Sequence, residues 1–413
     1  MKGYHGVSRH ILGRMLAKFT EVVAFVPQGE AVGNLRIGRG VVDGVPVHVA
    51  IIENRLASGA IGKAECDKLA SLFKVVAAQR APLVLFIDSA GARVSEGLPA
   101  LGAFRRMFSA AVTASLSGVK LVAVLGANCF GGASMLAALC GIRYFQPGTR
   151  LAMSGPSILA AGAGASAIDE AFRAIAEVTI GTEGRIKQDA ANQRFGGTVA
   201  LPQMLTPLAV HAQLLSRLPI AKVRSAVVER IERKDLNLLY PRGYRLDETS
   251  GVVRGTALGK VGNEPTHLLG SIDKCPMTAA RICQMTSDLN AMLASGRPTQ
   301  LDLLFDCEAH SAALDDEKVM LSSYLANFSR VLCQLRAAGW RVQTVVMGKL
   351  GGGIYVALAA MSDELNVIYG GEIQLLPGKA IAAILGDNSG SSWSFADYAA
   401  AGVAERELKI GLV

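Results

Sequence analysis

Two glycine turns are the residues of this 413-residue chain best placed to do chemistry. The first is Asn128-Cys129-Phe130-Gly131-Gly132-Ala133-Ser134, and the second is Lys349-Leu350-Gly351-Gly352-Gly353-Ile354-Tyr355. Each follows a short apolar run and opens an Ala-rich stretch, so each reads as strand, turn and helix start. Glycine permits close backbone approach, and the start of a helix leaves N–H groups unbonded and favours negative charge. Each turn has a companion loop earlier in its half of the chain. Asp88-Ser89-Ala90-Gly91-Ala92-Arg93 precedes the first, and Asp306-Cys307-Glu308-Ala309-His310 precedes the second. Amides of Gly131 and Gly132 with those of Gly91 and Ala92, or of Gly352 and Gly353, can form an oxyanion hole for a thioester enolate without any essential charged side chain. One Gly-Gly turn before a helix is often only tight packing. Its occurrence twice, each time after a matching loop, makes packing alone an insufficient account.

Other residues near these turns have plainer readings. Cys129 lies beside the first turn but has no local histidine, and a buried cysteine commonly behaves as a small hydrophobe. His310 is the titratable group of the second loop, positioned either to act on a departing carboxylate or to cap a helix. Arg143, Arg150, Arg185 and Lys187 are candidates for phosphates or acidic partners, against a reading as solvated surface. The Ala/Gly run Ala160 to Ser166 is a candidate lid.

The elements that must position these loops repeat along the chain. A β-hairpin is expected around Asp43-Gly44. A helix from Lys63 to Arg80 precedes a buried strand from Pro82 to Asp88, and a helix from Ala100 to Leu116 precedes a strand from Lys120 to Gly126. The same grammar returns as a strand at Leu301 to Asp306, a helix from Asp316 to Ala338 and a strand at Val342 to Gly348. Two copies of one α/β fold are expected, residues 1–240 and 241–413, each with a mostly parallel sheet. Residues Met1 to Phe19 read as a surface helix.

Composition bounds the function classes. Hydrophobic residues are 51% and charged residues 18%, with 45 glycines, as suits a packed enzyme. A chain of this length calls for two domains. The longest apolar runs fall far short of a bilayer span, so no membrane association is expected. Seven cysteines without a CxxC pair suggest neither a disulfide framework nor a metal site, and a cytoplasmic setting fits them. The net charge of +8 comes without a basic run or aromatic-interleaved motif, which argues against nucleic acid and leaves a phosphorylated substrate arm or an acidic partner protein.

The loop Asp88 to Arg93 with Glu96-Gly97 resembles that of carboxyltransferase β-type subunits. Cys129 to Ser134 with Ser154-Gly155-Pro156 is especially similar to the β subunit of biotin-independent malonate decarboxylase. Tyr324-Leu325-Ala326, Gly348 to Gly353 and Gly371-Glu372-Ile373-Gln374-Leu375-Leu376-Pro377 resemble its γ subunit. The resemblance implies tandem crotonase-like (ClpP/crotonase) ββα superhelix domains. It also implies decarboxylation of a malonyl thioester, carried on an acyl carrier protein or coenzyme A through a phosphopantetheine arm. Ser89, Arg93, Cys129, Phe130, Ser154, Gly155, Pro156 and Tyr355 are then the substrate-binding set. No tightly bound cofactor or metal is implied, and a homo-oligomer is expected. Two other readings stand beside this one. The first is a biotin-dependent acyl-CoA carboxyltransferase whose second site holds the ureido oxygen, and the second is a non-catalytic scaffold for a carrier protein.

Overall fold

The structure, a computed structural model, describes residues 9–163, 169–218, 228–258, 264–376, 381 and 393–410. By contact the chain forms two compact units: Met1–Leu205 with Ala312–Ala326, and Thr206–Ser311 with Asn327–Val413. Residue 240, where the sequence suggests a boundary, lies inside the second unit.

The first unit is built on strands β1 (Val26–Pro27), β2 (Leu35–Val42), β3 (Val45–Ile52), β4 (Leu83–Ser89), β5 (Leu121–Phe130), β6 (Ile142–Phe145), β7 (Arg150–Ala152) and β8 (Asn192–Arg194). Their order is β1-β2-β3-β4-β5-β6-β8, with β7 on the far end of β5. The hairpin expected around Asp43-Gly44 joins β2 to β3, with Val42 opposite Val45 and positive φ at both turn residues, as a two-residue hairpin turn requires. From β3 to β8 every pairing is parallel. β4 is buried along its whole length, the pattern of a strand covered on both faces. The helix Arg9–Val22 is more than a surface element: Phe19 is fully buried and its ring lies 5.2 Å from that of Phe86.

The second unit repeats this plan with β9 (Glu229–Arg230), β10 (Tyr244–Thr249), β11 (Val252–Leu258), β12 (Pro265–Ser271), β13 (Gln300–Phe305), β14 (Arg341–Val346), β15 (Lys349–Gly351), β16 (Glu364–Ile368), β17 (Glu372–Gln374) and β18 (Arg406–Leu408). The pairings β12-β13-β14-β16-β18 are all parallel and match β3-β4-β5-β6-β8, while the short pair β15-β17 matches the end of β5 with β7. The fold is thus α/β, two units of one plan in tandem.

The helix expected from Asp316 to Ala338 is broken. Leu314–Lys318 and Leu321–Ala337 are separate helices, and Met320 between them has φ +64°, outside right-handed helical space. The first of these helices belongs to the first unit, and so does Tyr324-Leu325-Ala326. Of the candidate lid, Ala160 to Ala163 end the helix Pro156–Gly162 and its C-cap, and residues 164–166 lie outside the described residues, as does Pro377.

Candidate active site

Strand ends set the geometry of the first unit. β4 and β5 run parallel side by side, so the loops that leave them emerge at the same edge of the sheet, the edge where open α/β sheets bind ligands. Asp88, buried at the end of β4, accepts a hydrogen bond at Oδ1 from the Asn128 amide at 3.1 Å, and its carboxylate also takes the Ala127 amide. These bonds bend β5 where its register with β4 shifts. A side chain at Gly126 would collide with the Asp88 carboxylate, so glycine is required there. Burial lifts the Asp88 pKa to about 6, against the opposing pull of the two amides and of Arg150.

The bend brings the two loops together. A Cβ on Gly91, which has φ +98°, would touch the carbonyl of Phe130, Cα of Gly131 and the Gly132 nitrogen. The expected donors then separate into two groups. The Gly91 amide bonds Ser89 Oγ at 3.1 Å, and the Gly131 amide bonds the Met153 carbonyl at 3.1 Å. Those two are committed. The amides of Ala92 and Gly132 make no bond among the described residues, and neither does that of Ala133, the next in the helix Gly132–Ala138, whose first backbone bond is Ser134 N to Gly131 O. Three uncommitted N–H groups at the close approach of two loops make a site for a developing oxyanion.

The second unit copies the framework. Asp306 Oδ1 accepts the Lys349 amide at 3.0 Å, and a side chain at Gly348 would collide with that carboxylate, just as at Gly126. Gly352 has φ +60°, close to the +57° of Gly131, and its amide bonds the Leu375 carbonyl as Gly131 bonds Met153. The Gly353 amide, however, donates to Nδ1 of His310 at 3.0 Å. Burial holds the imidazole pKa down at about 4, so the ring is neutral near pH 7. Tyr355 is fully enclosed with its hydroxyl on the Val403 carbonyl, a packing role rather than a substrate contact.

The pattern of the carboxyl transferase domain family matches residues 26–205, the segment that holds the uncommitted amides. That segment is similar to carboxyl transferase domains. The 12S subunit of methylmalonyl-CoA carboxyltransferase from Propionibacterium freudenreichii subsp. shermanii is 24% identical over 80% of this chain, which spans 65% of that subunit's length. The acetyl-coenzyme A carboxylase carboxyl transferase subunit beta of Opitutus terrae is 28% identical over 30% of this chain and 42% of its own length. Among solved structures, a Pseudomonas malonate decarboxylase hetero-tetramer in complex with malonate is 22% identical, covering 44% of this chain and 76% of that chain, with a TM-score of 0.40.

The remaining sequence candidates of the first unit lie within the matched segment. Arg93 is consumed internally: its guanidinium pairs with Glu65 and Glu96 and bonds the Ala60 carbonyl, which fixes the Asp88 to Arg93 loop rather than a substrate. Cys129 is fully buried, and burial pushes its thiol well above the usual range, so it packs and does not attack. Phe130 carries the Arg150 guanidinium 5.8 Å from its ring centre and faces Gly155. Ser154 is fully buried, its hydroxyl without a partner among the described residues, beside the Met153 carbonyl that holds Gly131. Arg143 is taken by Asp189 and Asn192, and Lys187 is exposed.

Arg185 pairs with Glu317 in a fully buried contact of 3.1 Å, and Glu317 also accepts the Ser154 amide at 2.9 Å. Sequence reasoning missed Glu317, since its partners stand more than a hundred residues away along the chain. It anchors Ser154-Gly155-Pro156. A cleft of about 450 Å³ in the second unit, lined by Thr266, Gln300, Arg341 and Glu364 among others, lies at the beginnings of β12 to β16, the end opposite to the glycine turns.

Proposed function

We propose that this chain is a carboxyltransferase that acts on an acyl-CoA thioester through an enolate held in the first unit. The observation that carries the reading is the set of uncommitted amides at Ala92, Gly132 and Ala133, set where two parallel strands end inside the segment similar to carboxyl transferase domains. When a carboxyl group leaves the α-carbon of a malonyl-type thioester, the electron pair of the broken C–C bond moves onto the thioester oxygen. Hydrogen bonds from preorganised amides stabilise that oxyanion more than the neutral carbonyl, which lowers the barrier to bond cleavage. In the opposite direction the same enolate carbon attacks a carboxyl donor. The decarboxylation implied by resemblance is the first half of this reaction. The longer match to a methylmalonyl-CoA carboxyltransferase subunit supports transfer as the whole of it.

A biotin ureido group would not be held by the Gly352 and Gly353 amides themselves, because both are bonded within the second unit.

The test is label exchange. Malonyl-CoA and methylmalonyl-CoA labelled in the free carboxyl are incubated with the protein, with and without biocytin and avidin. The expected outcome is loss of label from a CoA thioester, reduced more than about tenfold by Ala92→His, which sets an imidazole before the Gly132 amide with little change in melting temperature. Failure of every CoA thioester to lose or gain label would overturn the reading. Avidin-sensitive exchange would assign biotin as the carboxyl carrier, and avidin-resistant release of CO2 would assign decarboxylation alone.

A further inference from the structure

The two units place different residues at one position of the same loop. Ala92 forms a parallel bridge with Ile61, and His310 forms one with Met277. The flanking bonds correspond: Ile61 N to Gly91 O at 2.7 Å and Arg93 N to Ile61 O at 2.9 Å, against Met277 N to Ala309 O at 3.0 Å and Ser311 N to Met277 O at 2.9 Å. His310 therefore stands where Ala92 stands, and Gly353 stands where Gly132 stands. In the first unit the methyl group of Ala92 leaves the Gly132 amide open. In the second unit the imidazole sits against Gly352 and Gly353 and accepts the amide at Nδ1.

A backbone N–H can only donate, so Nδ1 must be the unprotonated nitrogen and the neutral ring carries its proton on Nε2. Nε2 makes no hydrogen bond among the described residues, and His310 as a whole is 8% exposed. The amide at the start of the helix Gly352–Ala359 polarises the ring, and a neutral imidazole fixed at a helix N-terminus is a known way to offer a strong N–H to a substrate oxygen. The second unit has thus exchanged an open amide for an imidazole N–H placed one ring further out.

We propose that Nε2–H of His310 is the hydrogen-bond donor of the second unit's site, relaying the Gly353 amide to an oxygen of the carboxyl group being moved or of the group that carries it. This rests on the reading of the chain as a carboxyltransferase. Its ligand is a planar carboxylate or urea-type oxygen. Ser311, buried next to His310, is a different residue from the Arg93 of the first unit, so the surrounding loop differs in charge as well.

Two measurements test it. In protein labelled with ¹⁵N-histidine, the resonance assigned to His310 by its loss in His310→Gln is expected to be that of the Nε2–H tautomer at neutral pH, and to shift when malonate or biocytin is added. A response to malonate alone identifies a carboxylate ligand, and a response to biocytin alone identifies a ureido ligand. An Nδ1–H tautomer, or no response to either probe, would overturn the proposal. In label exchange, His310→Ala is expected to lower kcat about tenfold or more while KM for the acyl-CoA changes less than about twofold. His310→Gln, whose amide can accept from Gly353 and donate outward, is expected to recover most of that loss. Unchanged or increased kcat in His310→Ala would show that the ring only fills space, and would overturn the proposal. Absence of exchange in the unaltered protein would defeat the carboxyltransferase reading while leaving the spectroscopic test of His310 intact.

Discussion

Asp88 and Asp306 show how single residues shape both sites. Each carboxylate closes on a strand-end amide across a glycine, a structural role that the loop sequences alone do not reveal. Asp88 carries a consequence for stability. Its folded pKa of about 6 lies above the ordinary carboxylate range, so the folded protein holds that proton more tightly than the unfolded chain. The resulting stabilisation is fully present below about pH 4 and is lost as pH rises towards about 6, a change on the order of 3 kcal/mol. Urea denaturation between pH 4 and 7 is expected to show this fall in the unaltered protein and its absence in Asp88→Asn; identical slopes would refute it. Gly132 is constrained by packing as well as by its amide. Its side-chain direction points into the ring of Phe104, so Gly132→Val is expected to disturb packing as well as the oxyanion site and does not isolate the chemistry. The glycines were legible in the sequence. Which amides are free was not, because the carbonyls of Met153 and Leu375 that occupy two of them come from elsewhere in the chain.

Strands and long helices were legible from period and composition, since β4 and residues 121–125 of β5 are short apolar runs and β13 is rich in Leu and Phe. Breaks were not. The sequence from Asp316 to Ala338 has helical spacing throughout, yet the chain turns at Met320, where Glu317 must enter the first unit to meet Arg185. Burial raises the Glu317 carboxyl, while Arg185 and the amides of Ser154 and Met153 oppose that rise. Removing one member of such a pair leaves an uncompensated buried charge, at a cost of about 3–5 kcal/mol. Glu317→Ala is therefore expected to lower stability by that order, and Glu317→Leu combined with Arg185→Met to recover most of it. Equal melting temperatures for the single and double variants would show that the pair does not couple. Because Glu317 holds Ser154, the single variant is also expected to loosen Ser154-Gly155-Pro156, read as faster amide exchange there.

At the scale of the whole chain, duplication was legible and the division of the chain was not. The repeated strand-turn-helix grammar led to two units, and two units are present, each with its own sheet. The segment Ala312–Ala326 departs from that simple order. It follows residues of the second unit in sequence and packs in the first, where Leu314 joins Ala152, Leu159 and Ile180 and the Lys318 carbonyl accepts from Gln188. A protein ending at Leu205 is thus expected to lack cooperative urea unfolding, because Arg185 loses Glu317 and that apolar cluster stays open. A sharp, native-like transition in such a fragment would sink the idea.

The same excursion governs the order in which the molecule can be made. A ribosome that has released residue 205 has not yet supplied Glu317, and at about 5–20 residues per second the wait is on the order of ten seconds. During that interval the nascent first unit holds a buried-type arginine without its carboxylate, while the residues of the second unit emerge behind it. The N-terminal unit, although translated first, is completed only when most of the chain has been synthesised.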